Sequence, residues 1–238
     1  MSVKVWLRKN FLPVYTTLAI LALLVLIISN IRLMGSIQKV SALKTAEIYV
    51  SSLEKFRTLY TSEVVESAVK NGMFARHDYK DHSNSIPLPA TLTIKLGEEI
   101  GRQEDGLSAT LVSGHPFKHR KGDVRLDEFN QEALDFFRDS PNRPFYRFVL
   151  KDDRFMLRYS KADIMRESCV ACHNSHPQSP KTDWQVGDVR GALSVSLPLN
   201  DKSNQSVGIV RERIISSSIL GILLFLIGLQ LVNWLKEE

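Results

Sequence analysis

Two apolar blocks bracket a polar middle. Phe11 to Ser29 is almost entirely apolar and uncharged, and Ile214 to Trp234 repeats the pattern near the other end. At about 1.5 Å of helix per residue, each can cross a hydrocarbon core of about 30 Å, with little to spare. Lys4, Arg8 and Lys9 precede the first block. Arg211 and Arg213 precede the second, and Trp234 and Lys236 stand at its far end, as interfacial anchors do. A cleaved signal peptide has a shorter apolar region and a small-residue cleavage site, and Asn30-Ile31-Arg32-Leu33-Met34-Gly35 offers none, so the first block is expected to stay as an anchor. The expected layout is a cytoplasmic N-terminus at 1–10, a transmembrane helix at 11–31, a domain at 32–213 with its core over about 40–200, a second transmembrane helix at 214–235, and a cytoplasmic C-terminus at 236–238.

Inside the polar middle, Ile37 to Lys70 reads as one long helix continuing the first span. Ile37, Val40, Leu43, Ala46, Val50, Leu53, Phe56, Leu59 or Tyr60, Val64 and Ala68 recur in steps of three and four, and Asn71-Gly72 is a stop signal. This stripe can cover the domain, or pair with its copy in a homodimer. Met73 to Ser85 reads as a polar loop, followed by the extended Ile86-Pro87-Leu88-Pro89. A short helix is expected over Thr91 to Ile100, a strand over Leu107 to Ser113, a basic loop over Gly114 to Asp123 and an amphipathic helix over Asp127 to Arg138. Tyr146 to Leu150 and Phe155 to Ser160, joined by Lys151-Asp152-Asp153-Arg154, form the clearest hairpin. Asn174 to Asp188 is a polar loop. Val189, Gly191, Leu193, Val195 and Leu197 then alternate against Arg190, Ala192, Ser194 and Ser196, a strand with one buried face, and Asn200 to Arg213 leads back to the membrane. The fold class is α+β: an antiparallel sheet with flanking helices and a long N-terminal helix, between two transmembrane helices.

Charge changes this picture little. The net charge of +5, from 31 basic and 26 acidic residues, is too mild and dispersed to point to nucleic acid. No nucleophile–base pair, phosphate loop or carboxylate cluster rises above background, so an enzyme is not expected.

The two cysteines change it more. They are the only two in the chain, three residues apart in Cys169-Val170-Ala171-Cys172-His173. A disulfide between them would close only a tiny loop. C-x-x-C-H is the attachment pattern of c-type haem: two thiols on one turn can each add to a vinyl group of one porphyrin, and the following histidine can ligate the iron. A zinc site formed with His176 would crowd four ligands into eight residues. A thioredoxin-like thiol pair would open a helix after a strand in a βαβ unit, whereas this motif is followed by a loop. Haem c, one and covalent, is the expected cofactor, with His173 as the proximal ligand and His176 a loop histidine near the haem edge. The sixth ligand is expected among Met73, His77, His82 and Tyr60. In bacteria this attachment takes place outside the cytoplasmic membrane, which would make 32–213 periplasmic in a two-pass inner-membrane protein.

Longer motifs surround these residues. Cys169 to Pro177, Ser179-Pro180-Lys181-Thr182-Asp183-Trp184 and Val186-Gly187-Asp188-Val189-Arg190-Gly191 resemble a bacterial periplasmic c-type haem sensor domain family of PAS-like fold, formerly a domain of unknown function. Arg57-Thr58-Leu59-Tyr60-Thr61, Ile86 to Thr91, Pro116-Phe117-Lys118 and Arg158-Tyr159 match its pattern too, and the resemblance spans roughly residues 40 to 200. It implies a PAS-like antiparallel sheet with haem beside it, acting as a redox or small-ligand sensor input in signal transduction. It also implies a pocket drawn from Arg57, Tyr60, Arg158 and Arg190, with an arginine pairing a haem propionate. Such domains feed a cytoplasmic output. None is read here before Glu238, so a separate or missing output protein is expected as partner. The alternative reading is a membrane-tethered monohaem cytochrome that carries electrons between partners.

Overall fold

The computed structural model describes residues 3–103, 106–120, 126–151, 153–199 and 205–237. The contacts divide the chain into two units, one of residues 1–41 with 201–238 and one of residues 42–200. In the first unit lie the N-terminal part of helix α1 (Val3–Leu59) and helix α6 (Gln205–Glu237). Both are long and apolar enough to cross a membrane. A soluble core helix would bury such side chains; here Val25 is 63% exposed and Leu224 60%, which is compatible with a pair of membrane helices. Asn30 Nδ2 donates to Ser218 Oγ at 3.2 Å, one polar contact between the two helices. The expected return of the chain over Asn200 to Arg213 lies partly outside the described residues, as do Lys121 to Asp123 of the basic loop and Asp152 of the hairpin turn.

The second unit is built on a four-stranded antiparallel sheet. Its strands are β3 (Ser108–Val112), β4 (Phe145–Lys151), β5 (Arg154–Ile164) and β6 (Val189–Pro198), in the order β3-β6-β5-β4. Helices cover both faces. On one, Ala46, Val50 and Leu53 of α1 pack with Leu111, Leu157, Tyr159, Leu193 and Val195, and Ile94 and Leu96 of helix α3 (Pro89–Gln103) join them. On the other, Ala133, Leu134 and Phe137 of helix α4 (Glu128–Asp139) meet Val112, Ala162 and Ala192. Asp127 caps α4, its carboxylate accepting from the Asn130 amide at 3.0 Å. The α+β class holds, with the long N-terminal helix and the antiparallel sheet where the pattern placed them.

Four local expectations change. The helical stripe only partly faces the sheet: Val40 and Leu59 are 67% and 60% exposed. The long helix is not uniform. Six residues, Tyr60–Val65, form a wide π-helical turn before the short helix α2 (Glu66–Lys70). Met73 to Ser85 is not all loop, because strands β1 (Phe74–Arg76) and β2 (Ser85–Pro87) pair in parallel within and beside it. Strand β6 is covered on both sides, with Gly191, Ala192, Leu193, Ser194 and Val195 all buried. Its polar member is satisfied: Ser194 Oγ lies 2.8 Å from Ser160 Oγ and donates to Asn130 Oδ1 at 2.8 Å.

Candidate functional site

Strand β5 runs four residues further than its pattern indicates, to Ile164, and this extension carries Asp163. Its register with β6 breaks there: Asp163 faces Gly191 while Ile164 faces Val189, so Arg190 is the extra residue of a β-bulge. Strict alternation would send Arg190 to the α4 face with Ala192. The bulge re-aims it onto the face where Asp163 lies. Gly191 makes the close strand approach possible, since a Cβ there would stand 2.1 Å from the Val112 carbonyl oxygen.

The result is a buried ion triad. Arg57 Nη1 donates to Asp163 Oδ2 at 3.1 Å and its Nη2 pairs with Oδ1. Arg190 Nε donates to Asp163 Oδ2 at 3.0 Å, its Nη2 pairs with the same oxygen, and its Nη1 reaches His173 Nε2 at 3.1 Å. Burial alone would raise the Asp163 pKa, but the charges of Arg190 and Arg57 outweigh it and hold the carboxyl at about 2. One turn earlier on α1, Glu54 takes Lys161 at 2.9 Å and Arg166 at 2.7 Å. Four cations thus share two carboxylates around the end of β5. The crevice between them, lined by Val50, Glu54, Arg57, Lys161 and Asp163, has no room for a water molecule.

The cysteine motif follows directly, on helix α5 (Glu167–Ser175), and the expected loop begins after that helix. The cysteines therefore sit on a helix after a strand, as a thiol redox pair does. The βαβ requirement is still unmet, because β5 and β6, which flank the helix, are antiparallel. Cys169 and Cys172 are free thiols one turn apart. His173 follows, and its partial burial, then the charge of Arg190, lowers its pKa to about 4. It is therefore neutral at pH 7 and accepts from Arg190. Among the described residues, no three His, Cys, Asp or Glu side chains converge as a metal-ion set, so Cys169, Cys172, His173 and His176 do not form a ready zinc tetrahedron.

Two devices hold the excursion from β5 to β6. At its base, the Met165 amide donates to the Asp188 carbonyl at 2.8 Å and the Gly187 amide to the Met165 carbonyl at 2.9 Å. Gly187 turns the chain with φ +97°. Asn174 grips the loop from the helix, donating to the Trp184 carbonyl and accepting from its amide, both at 2.9 Å.

Aromatic rings line the motif. Phe117 lies edge-on to His173 and to His176, each at 5.3 Å, and 5.8 Å from His119, which stacks on His77 at 4.0 Å. Of the four sixth-ligand candidates, only His77 is joined to His173 through these rings. Tyr60 donates its hydroxyl to Pro87 O at 2.9 Å, His82 lies 3.2 Å from Asp78, and Met73 is fixed through its amide to Ala68 O. His176 Nδ1 accepts from the Gln178 amide at 3.1 Å. Arg158 is not in the pocket: it pairs with Asp127 at 2.7 Å and lies over the Phe129 ring. Sequence reasoning passed over Asp163, Glu54 and His119. Asp163 had a signal, since it continues the inward parity of Leu157 and Tyr159 as a lone acid.

Residues 37–198 match the model of the family described as Tll0287-like. The chain belongs to the Tll0287-like family. The match takes in the bulge, the triad, the cysteine helix and the loop gripped by Asn174, so the site lies within the Tll0287-like region. No curated protein and no solved structure matches the chain.

Proposed function

We propose that the chain is a membrane-anchored c-type haem protein whose domain lies in the periplasm and serves as a sensor input for redox state or a small ligand. The observation that carries the haem reading is the placing of Cys169, Cys172 and His173 on one helix, with His173 Nε2 turned to the end of the ion triad. The donors suit the group. Each thiol can add its S–H across one vinyl group, sulfur to one carbon and hydrogen to the other, with no leaving group and no oxidant. His173 Nε2 carries the lone pair that a metal needs. The surplus of arginine and lysine over carboxylate suits the propionates of a haem, with Arg190 the arginine best placed for one. Bound haem would supply a one-electron couple and an iron able to exchange a ligand.

Sensing rests on the connection from the motif to the long helix. His173, Arg190, Asp163 and Arg57 form one unbroken chain of polar contacts from α5 to α1. A change of partner at His173 would alter the load on Arg57 and hence on α1. An electron carrier is the second reading, favoured by the exposure of the motif: α5 has no buried residue.

A spectrum of the full chain, purified in detergent, reduced and exposed to CO and then NO, tests the choice. A sensor is expected to exchange its sixth ligand and shift its Soret band. A haem indifferent to both gases and rapidly reduced would instead make the protein an electron carrier.

A further inference from the structure

We propose that Arg190 is a positioning residue that presets His173 for coordination and then gives up its nitrogen. The inference rests on the haem reading above and concerns the chain before haem is attached. A guanidinium has five N–H donors and no acceptor. Its Nη1, 3.1 Å from His173 Nε2, can only donate, so Nε2 must carry the lone pair and the ring proton must sit on Nδ1. That tautomer is the one that ligates through Nε2. A free imidazole exchanges its proton between the two nitrogens; His173 is held in one form.

The hold is rigid because Arg190 is itself held. Its Nε and Nη2 both engage Asp163, which is buried and pinned from the other side by Arg57. The bulge at Arg190 directs the side chain there. The same contact must then be released. A nitrogen that accepts an N–H cannot also offer its lone pair to a metal. The guanidinium is planar and stays on Asp163 through its other two nitrogens, so it is the His173 ring that must turn away from Arg190 Nη1. Freed of His173, Nη1 becomes a donor for a carboxylate such as a propionate. The handover is local, and Asp163 remains charge-compensated throughout.

Histidine nitrogen NMR on the full chain in detergent micelles, made without haem-attachment machinery, reads the tautomer directly. The expected spectrum has His173 protonated at Nδ1 alone. Arg190→Met should cost some stability yet keep the fold by near-UV circular dichroism, because Arg57 still neutralises Asp163. It should give mixed His173 tautomers and a several-fold lower yield of covalent haem when the machinery is co-expressed. Arg190→Lys, which keeps the charge without the fork, should not restore the single tautomer. A wild-type His173 that is protonated at Nε2 or mixed would overturn the proposal, as would an unchanged tautomer in Arg190→Met. Wild-type chain that takes up no covalent haem would instead sink the haem reading, and the nitrogen spectrum would still decide the role of Arg190.

Discussion

Arg57 and Asp163, 106 residues apart in sequence, form a two-pronged ion pair with side-chain exposures of 5% and 2%. The pair ties the long helix to the end of β5, two residues before the segment that leads into the cysteine helix. Its surroundings decide what it is worth. Asp163 answers two guanidinium groups at once, so neither arginine can be removed from it without cost.

Asp163→Asn should therefore be strongly destabilising. Breaking a buried ion pair by neutralising one partner costs about 3–5 kcal/mol, because the remaining charge stays buried and uncompensated. Two arginines would be left facing a neutral amide. Thermal unfolding of the full chain in detergent, followed by circular dichroism, checks this. A change below about 1 kcal/mol, the range of surface pairs, would mean that water reaches the triad.

The same group gives a pH dependence of definite sign. Its folded pKa of about 2 is depressed from the ordinary value of 3.8, by Arg190 and Arg57 acting against burial. The stabilisation is thus complete above about pH 4 and is lost as pH falls from about 4 to about 2. Its size is about 2–3 kcal/mol. Wild-type protein should lose stability across that window more steeply than Asp163→Asn. Parallel acid limbs in the two proteins would contradict the assignment.

Gly191→Ala should destabilise by about 1–3 kcal/mol, the usual cost of overpacking, since its Cβ would meet the Val112 backbone at 2.1 Å. Gly114→Ala is the control, with nothing within 4 Å of its Cβ. Comparable unfolding midpoints for the two variants would show that β3 can move away from β6 at little cost.

Asn174→Ala should free the loop at 176–188 while sparing the sheet. It removes both hydrogen bonds to the Trp184 backbone, a loss of about 1–3 kcal/mol if those groups stay buried. Limited proteolysis should cut this variant sooner than wild type between Pro177 and Asp183. An unchanged cleavage pattern would show that the base hydrogen bonds at Met165 alone fix the loop.

Much of the fold was legible because its signals are local. The two apolar blocks, the amphipathic helix up to Arg138, the hairpin before Ser160 and the alternation from Val189 each follow from neighbours in sequence. The cysteine motif was legible for the same reason, since it lies within five consecutive residues. What the pattern could not show was long-range. Arg190 changes face only because of a bulge opposite Asp163, and strict alternation hides it. Arg57 and Arg158 look alike as isolated arginines, yet one is buried on Asp163 and the other pairs with Asp127 near the surface. The π-helical turn after Leu59 leaves no mark on a pattern of threes and fours.

The most direct measurement is the intact mass of the full chain, produced in bacteria together with c-type haem maturation machinery and denatured in acid–acetone. The expected result is a chain heavier by one haem in wild type, and by none when Cys169 and Cys172 are both changed to alanine. A wild-type chain at its bare polypeptide mass, or a double variant that still carries the added haem, would contradict attachment at this helix.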